Sequence, residues 1–153
     1  MTPLRLSFLA AALFLTLPAA AQVTVTDPWV RGTVAGQMAT GAFMQLKSAK
    51  DARLVEARSP VAGVVEIHEM ALVDNIMRMR AVPALDLPAG RAVELKPGGY
   101  HVMLMDLKQQ VKEGDVVPVS LVIESGGRRE TIEVKASVRA PTARSDPMKK
   151  HGG

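Results

Sequence analysis

Short apolar-rich runs recur along the chain at residues 42–46, 64–68, 102–107 and 117–123, each about the length of a strand. Residues 77–82 begin with an alternation, Met77 and Met79 on one face and Arg78 and Arg80 on the other. That period of two is the mark of a strand with unlike faces. Turn-forming residues separate the runs: Ser59-Pro60 with Gly63, Asp74-Asn75, Pro88-Ala89-Gly90, Pro97-Gly98-Gly99, Glu113-Gly114-Asp115 and Gly126-Gly127. Many short strands at this spacing predict an all-β sandwich or barrel. After the first 21 residues, no 12-residue window carries a helical stripe.

The first 21 residues have a different pattern. A weakly positive start with Arg5 leads into an apolar stretch at 6–17, then Pro18 and the small residues Ala19-Ala20-Ala21. This is the anatomy of a secretory signal peptide. About a dozen apolar residues fall short of the roughly 20 that a membrane span requires. Residues 1–21 are therefore expected to be a signal peptide, 22–139 the folded domain, and 140–153 a disordered tail with two each of Pro, Lys and Gly. The expected location is the periplasm, with no membrane span after cleavage.

Cleavage would leave 132 residues, enough for one domain with a real core. Of the 19 basic residues only Arg5 would be lost, leaving 18 against 15 acidic. A net charge near +3 is ordinary for a soluble protein. With Trp29, Phe43 and Tyr100 as the remaining aromatics, stacking platforms for single-stranded nucleic acid are lacking, and no nucleic-acid partner is expected. Trp29 reads as a core residue. The sequence has no cysteine, so the domain must rely on its apolar core, and neither a disulfide nor a lipoprotein anchor is expected.

Methionine changes the picture. Eight of the nine follow the initiator, in 132 residues, and two of them stand at fixed distances from the two histidines of the body: His68-x10-Met79-x21-His101-x-Met103. In a strand, His101 and Met103 share a face. If Asp74-Asn75 forms a two-residue hairpin loop, Met70 falls opposite Met79, and His68 lies diagonal to Met79 within reach of long side chains. Thioether sulfur is soft and neutral and selects copper(I), imidazole accepts copper among other ions, and zinc favours cysteine, histidine or carboxylate. A set of two His and two Met therefore points to one copper(I) per chain. Met38, Met44, Met70, Met77 and Met105 read as core or rim, Glu69 as solvated, and Glu94 as a candidate orienting partner for His101. Met148 and His151 in the tail are weak copper(II) candidates.

This spacing resembles the signature of the periplasmic copper chaperones of the PCuAC family. Asp27-Pro28-Trp29-Val30-Arg31, Gly41-Ala42-Phe43-Met44, His68-Glu69-Met70, Met77-Arg78-Met79-Arg80 and the stretch from Glu94 to Met105 agree with it. The similarity runs over about residues 23–138. The resemblance implies a cupredoxin-like β-sandwich with Greek-key topology, copper(I) at His68, Met79, His101 and Met103, and delivery to the CuA domain of cytochrome c oxidase subunit II. A thiol-bearing Sco-type copper chaperone is the implied companion. The chain departs from some members in having Glu69 directly after His68, and in a tail poor in His and Met.

Other classes fit less well. A blue-copper carrier requires a cysteine ligand. Neither a Gly-x-Ser-x-Gly elbow nor a His-Glu-x-x-His helix nor a phosphate-cradling loop is present, so no catalytic activity is expected. The rivals are a periplasmic copper buffer or resistance protein without a dedicated recipient, and a β-sandwich interaction module with incidental methionines.

Overall fold

A computed structural model describes residues 22–144. The expected signal peptide at 1–21 lies outside them, as do Met148 and His151. Ten strands and no helix occupy the described residues: β1 Val23–Arg31, β2 Ala39–Ser48, β3 Ala52–Arg58, β4 Ala62–Val73, β5 Ile76–Ala81, β6 Leu85–Leu87, β7 Ala92–Leu95, β8 His101–Leu107, β9 Val116–Ser125 and β10 Arg128–Arg139. The expected all-β sandwich is what the chain forms. One hydrogen-bonded path runs β5-β4-β8-β2-β1-β10-β9-β3-β6, with β7 beside β2. The path folds back so that β3 packs on β4 and β6 on β2. β1 is the join: it is antiparallel to β2 and, from Trp29 to Arg31, parallel to β10.

Alternation dictates which residues fill the space between the sheets. Ala42, Met44 and Leu46 of β2, Val102 and Leu104 of β8, and Val117, Val119, Leu121 and Ile123 of β9 all belong to the buried core cluster. Met44 is thus core filler, as expected. Trp29 is buried, as expected of a core residue, but it stands apart from the main cluster between the sheets. It lies on the outer face instead, its ring 4.6 Å from that of Phe43 and beneath the Arg139 guanidinium at 4.8 Å.

Two local features position the site. Asp74 and Asn75 both adopt left-handed φ, 52° and 61°, the geometry of a tight two-residue hairpin that Asp and Asn tolerate. The second feature is an excursion. As β2 passes from Met44 to Ala42, the strand beside it passes from Leu95 to Val102. β7 and β8 are therefore one line beside β2, with 96–100 looped out of it. Lys96 N donates to Tyr100 O and Gly99 N to Lys96 O, closing the loop around Gly98 at φ 83°. After β10, the first residues of the expected disordered tail form a turn: Ala143 N donates to Ala140 O, and Arg31 Nη2 to Ala143 O.

Candidate metal centre

The hairpin and the central strands bring the four predicted residues onto one face. In the β4–β5 ladder Met70 is opposite Met79 and His68 is opposite Ala81, one step along the same face. In the β4–β8 ladder His68 is directly opposite His101 and Glu66 opposite Met103. Because side chains alternate across a strand, Glu66, His68, Met70, Met79, His101 and Met103 all project to the outer face, away from the core. The two imidazole rings lie 5.8 Å apart. A cavity of about 220 Å³ opens here, with Arg31, Phe43, Met70, Met79, Pro97, His101 and Met103 among its lining.

Each histidine is turned so that one ring nitrogen is occupied and the other free. His68 Nε2 lies 2.7 Å from Glu66 Oε2, and a carboxylate only accepts, so Nε2 carries the proton in the neutral ring. His68 Nδ1 is then a bare lone pair, buried and without a partner. His101 Nδ1 lies 3.0 Å from the Gly99 carbonyl, so Nδ1 carries the proton and Nε2 is the bare lone pair, likewise buried and unpartnered. A buried polar atom without a partner costs free energy and calls for an explanation. Imidazoles that donate one N–H to a carboxylate or carbonyl and leave the other nitrogen free are oriented as metal ligands are. Burial lowers the His101 pKa, and the neighbouring His68 and Arg31 lower it further against the opposing Gly99 hydrogen bond, which keeps the ring neutral and able to donate.

The wall beyond His101 is aromatic. Phe43 sits 6.2 Å from the His101 ring, with the Arg31 guanidinium 5.4 Å from its centroid. Gly41 makes this possible, because a Cβ there would lie 2.7 Å from the Phe43 ring.

The orienting groups correct the sequence reading. Glu94 does not reach His101; it lies 3.8 Å from Lys96, and Gly99 O fills the orienting role. Glu69 is not solvated; it is ion-paired with Arg80 at 2.6 Å, its side chain only 17% exposed. Glu66 was missed, although its place two residues before His68 puts both on one face. Met70 lines the cavity, whereas Met38 and Met77 are exposed. Among the described residues no three His, Cys, Asp or Glu gather in a cluster able to hold a metal. The donors that this face could offer a metal are two imidazole nitrogens and thioethers, a soft set whose chemistry suits copper(I) better than zinc, calcium or magnesium.

Fold and site together define a cupredoxin-like β-sandwich with a soft donor cluster on the outer face of one sheet. The chain belongs to the LpqE-like family, whose model matches residues 23–138. A relative named as a lipoprotein in Leifsonia xyli subsp. xyli is 34% identical over 121 residues, 72% of each chain. An uncharacterized protein of Rickettsia prowazekii is 30% identical over 74% of this chain and 66% of its own. Among solved structures, the copper-bound PCuAC domain from PmoF2 is 25% identical with a TM-score of 0.64, covering 81% of this chain and 97% of that one. The copper(I) form of DR1885 from Deinococcus radiodurans is 31% identical with a TM-score of 0.61, covering 82% and 85%.

Proposed function

We propose that this protein is an exported copper(I) chaperone that holds one ion through His68 Nδ1, His101 Nε2 and the thioethers of Met79 and Met103. The observation that carries the reading is the pair of buried, unpartnered imidazole nitrogens on the face that also bears both thioethers. Copper(I) suits the set because thioether is soft and neither donor type has to lose a proton near neutral pH. The lipoprotein name of one relative and the N-terminal apolar pattern support export to the periplasm. Two structural neighbours, both in copper-bound form, support the choice of ion.

The recipient we propose is the CuA domain of cytochrome c oxidase subunit II, with a Sco-type protein as companion. Support for this comes from the resemblance of the four-residue spacing to the PCuAC signature. Four neutral donors near a surface suit a carrier: they compete less well than thiolates, and a recipient can displace them one at a time. Titration against a colorimetric copper(I) competitor under reducing conditions should give one tightly held ion per chain. A preference for zinc, or no binding, would refute the reading. Transfer to a purified apo CuA domain, with and without a Sco-type protein, separates a chaperone from a buffer.

A further inference from the structure

The methionines of this chain are unequally open to solvent. Met38, Met77 and Met79 are 55%, 53% and 48% exposed, whereas Met44 is buried at 2%. Met70, Met103 and Met105 are half-buried. The same inequality runs through the proposed donors. His101 is buried, the His68 side chain is 12% exposed and Met103 is half-buried; Met79 alone of the four is exposed. Topology explains it. His101 and Met103 lie on β8, flanked by β2 and β4, and His68 lies on β4, flanked by β8 and β5. Met79 lies on β5 at the end of the sheet, with a neighbouring strand on one side only.

Exposure matters because a thioether is a nucleophile as well as a soft ligand. Its sulfur lone pair takes an oxygen atom from hydrogen peroxide and becomes a sulfoxide. The sulfur–oxygen bond forms as the oxygen–oxygen bond breaks. Sulfur gives up two electrons, and the second oxygen leaves as water with both protons. The product presents a hard oxygen where a soft sulfur stood, and copper(I) selects soft donors. Oxygen added to Met38 or Met77 alters no donor, and Met44 is out of reach in the core.

We propose, resting on the copper reading above, that Met79 is a reversible oxidation site through which peroxide disables copper(I) uptake by the empty protein. The empty form is the sensitive one, because a bound ion engages the sulfur lone pair and shields it. Oxidant therefore blocks loading rather than expelling cargo. A methionine sulfoxide reductase reverses the change, passing two electrons and two protons from thiols to the sulfoxide and releasing its oxygen as water. The edge position that opens Met79 to an arriving ion opens it equally to an arriving oxidant.

A variant carrying Met38→Leu, Met77→Leu and Met148→Leu leaves Met79 as the exposed methionine among the described residues and touches no donor. After brief treatment with hydrogen peroxide, peptide mapping by mass spectrometry reads oxygen uptake at each methionine. Competition with a colorimetric chelator then reads copper(I) affinity. In the empty variant Met79 should take up oxygen severalfold faster than Met103, with Met44 unmodified. Losing a partner that only orients a ligand costs about 10–100-fold, so affinity should fall at least about tenfold and return after treatment with the reductase. Silver(I), a soft ion of the same charge that peroxide does not oxidise, is loaded onto the wild type in parallel. It should slow uptake at Met79 severalfold and leave Met77 unchanged. Equal slowing of both, or of neither, overturns the proposal. So does uptake at Met79 no faster than at Met103. The copper reading is tested separately, since untreated protein that binds no copper(I) overturns that reading itself. Protein that binds the ion and stays within about twofold of its affinity once Met79 is oxidised overturns the oxidation site and leaves the ion to the other donors.

Discussion

Removing the Glu66 carboxylate tests whether the site is set up by its tautomers. Glu66 Oε2 accepts from His68 Nε2 at 2.7 Å and thereby leaves Nδ1 as the free nitrogen. A hydrogen bond to a charged group is worth about 1.5–3 kcal/mol net. The Glu66 side chain is 45% exposed, so water competes and a figure at or just below that range, about 1–1.5 kcal/mol, is the better one. In Glu66→Ala the ring is free to take the other tautomer or to turn, and that energy is lost from the metal-ready state. At 1.4 kcal/mol per factor of ten, copper(I) affinity should fall about tenfold, at the lower edge of the 10–100-fold effect of removing an orienting partner. Glu66→Gln keeps an acceptor oxygen without the charge and should lose about half as much in free energy. Affinity is read by competition with a colorimetric chelator, and the tautomer by nitrogen-15 shifts of the apo imidazole. Binding by Glu66→Ala within about twofold of wild type, with the apo fold intact, would refute the argument.

Three further outcomes are expected. Met79→Leu and Met103→Leu should leave the apo thermal midpoint nearly unchanged, since such swaps cost less than about 1.5 kcal/mol, yet weaken copper(I) binding sharply; Met44→Leu, in the core, should bind as wild type does. Because burial depresses the His101 pKa, an unfolded chain takes up that proton first as pH falls below about 6.5. Apo stability should therefore be full above that value and decline as pH drops toward the folded pKa, a slope that urea midpoints against pH should show and His101→Gln should reduce. Gly41→Ala puts a Cβ 2.7 Å from the Phe43 ring; displacing a packed ring costs about 1–3 kcal/mol, so both the thermal midpoint and copper affinity should fall, and an unshifted midpoint would show that the ring moves freely.

Local chemistry made the hairpin legible. Asp74-Asn75 is a turn that residue types announce, and with it came the Met70–Met79 pairing and the place of His68 on the same face. Alternation alone set His101 beside Met103. The direct pairing of His68 with His101 was not legible, because β4 and β8 are joined through β5, β6 and β7 and no turn between them fixes their register. β6 and β7 are three and four residues long, too short for periodicity to register. β10 is exposed over most of its first half, so its apolar signal is weak. The outer aromatic cluster was hidden because burial by a neighbouring ring and guanidinium, as at Trp29, looks in sequence like burial in a core. Both orienting groups were nevertheless within reach, since Glu66 and Gly99 each stand two residues before the imidazole they hold.

Those two holds differ in kind. The group that fixes His68 is a side chain, and a single codon change can weaken, lengthen or delete it. The group that fixes His101 is a main-chain carbonyl, which every residue possesses and no substitution at position 99 removes; only a change in the path of the 96–100 loop would take it away. One half of the site can therefore be retuned by drift at position 66 without touching a donor, while the other half changes only by insertion, deletion or refolding of a loop. Homologues should accordingly vary in the residue two before the first histidine more readily than in the length of the excursion before the second.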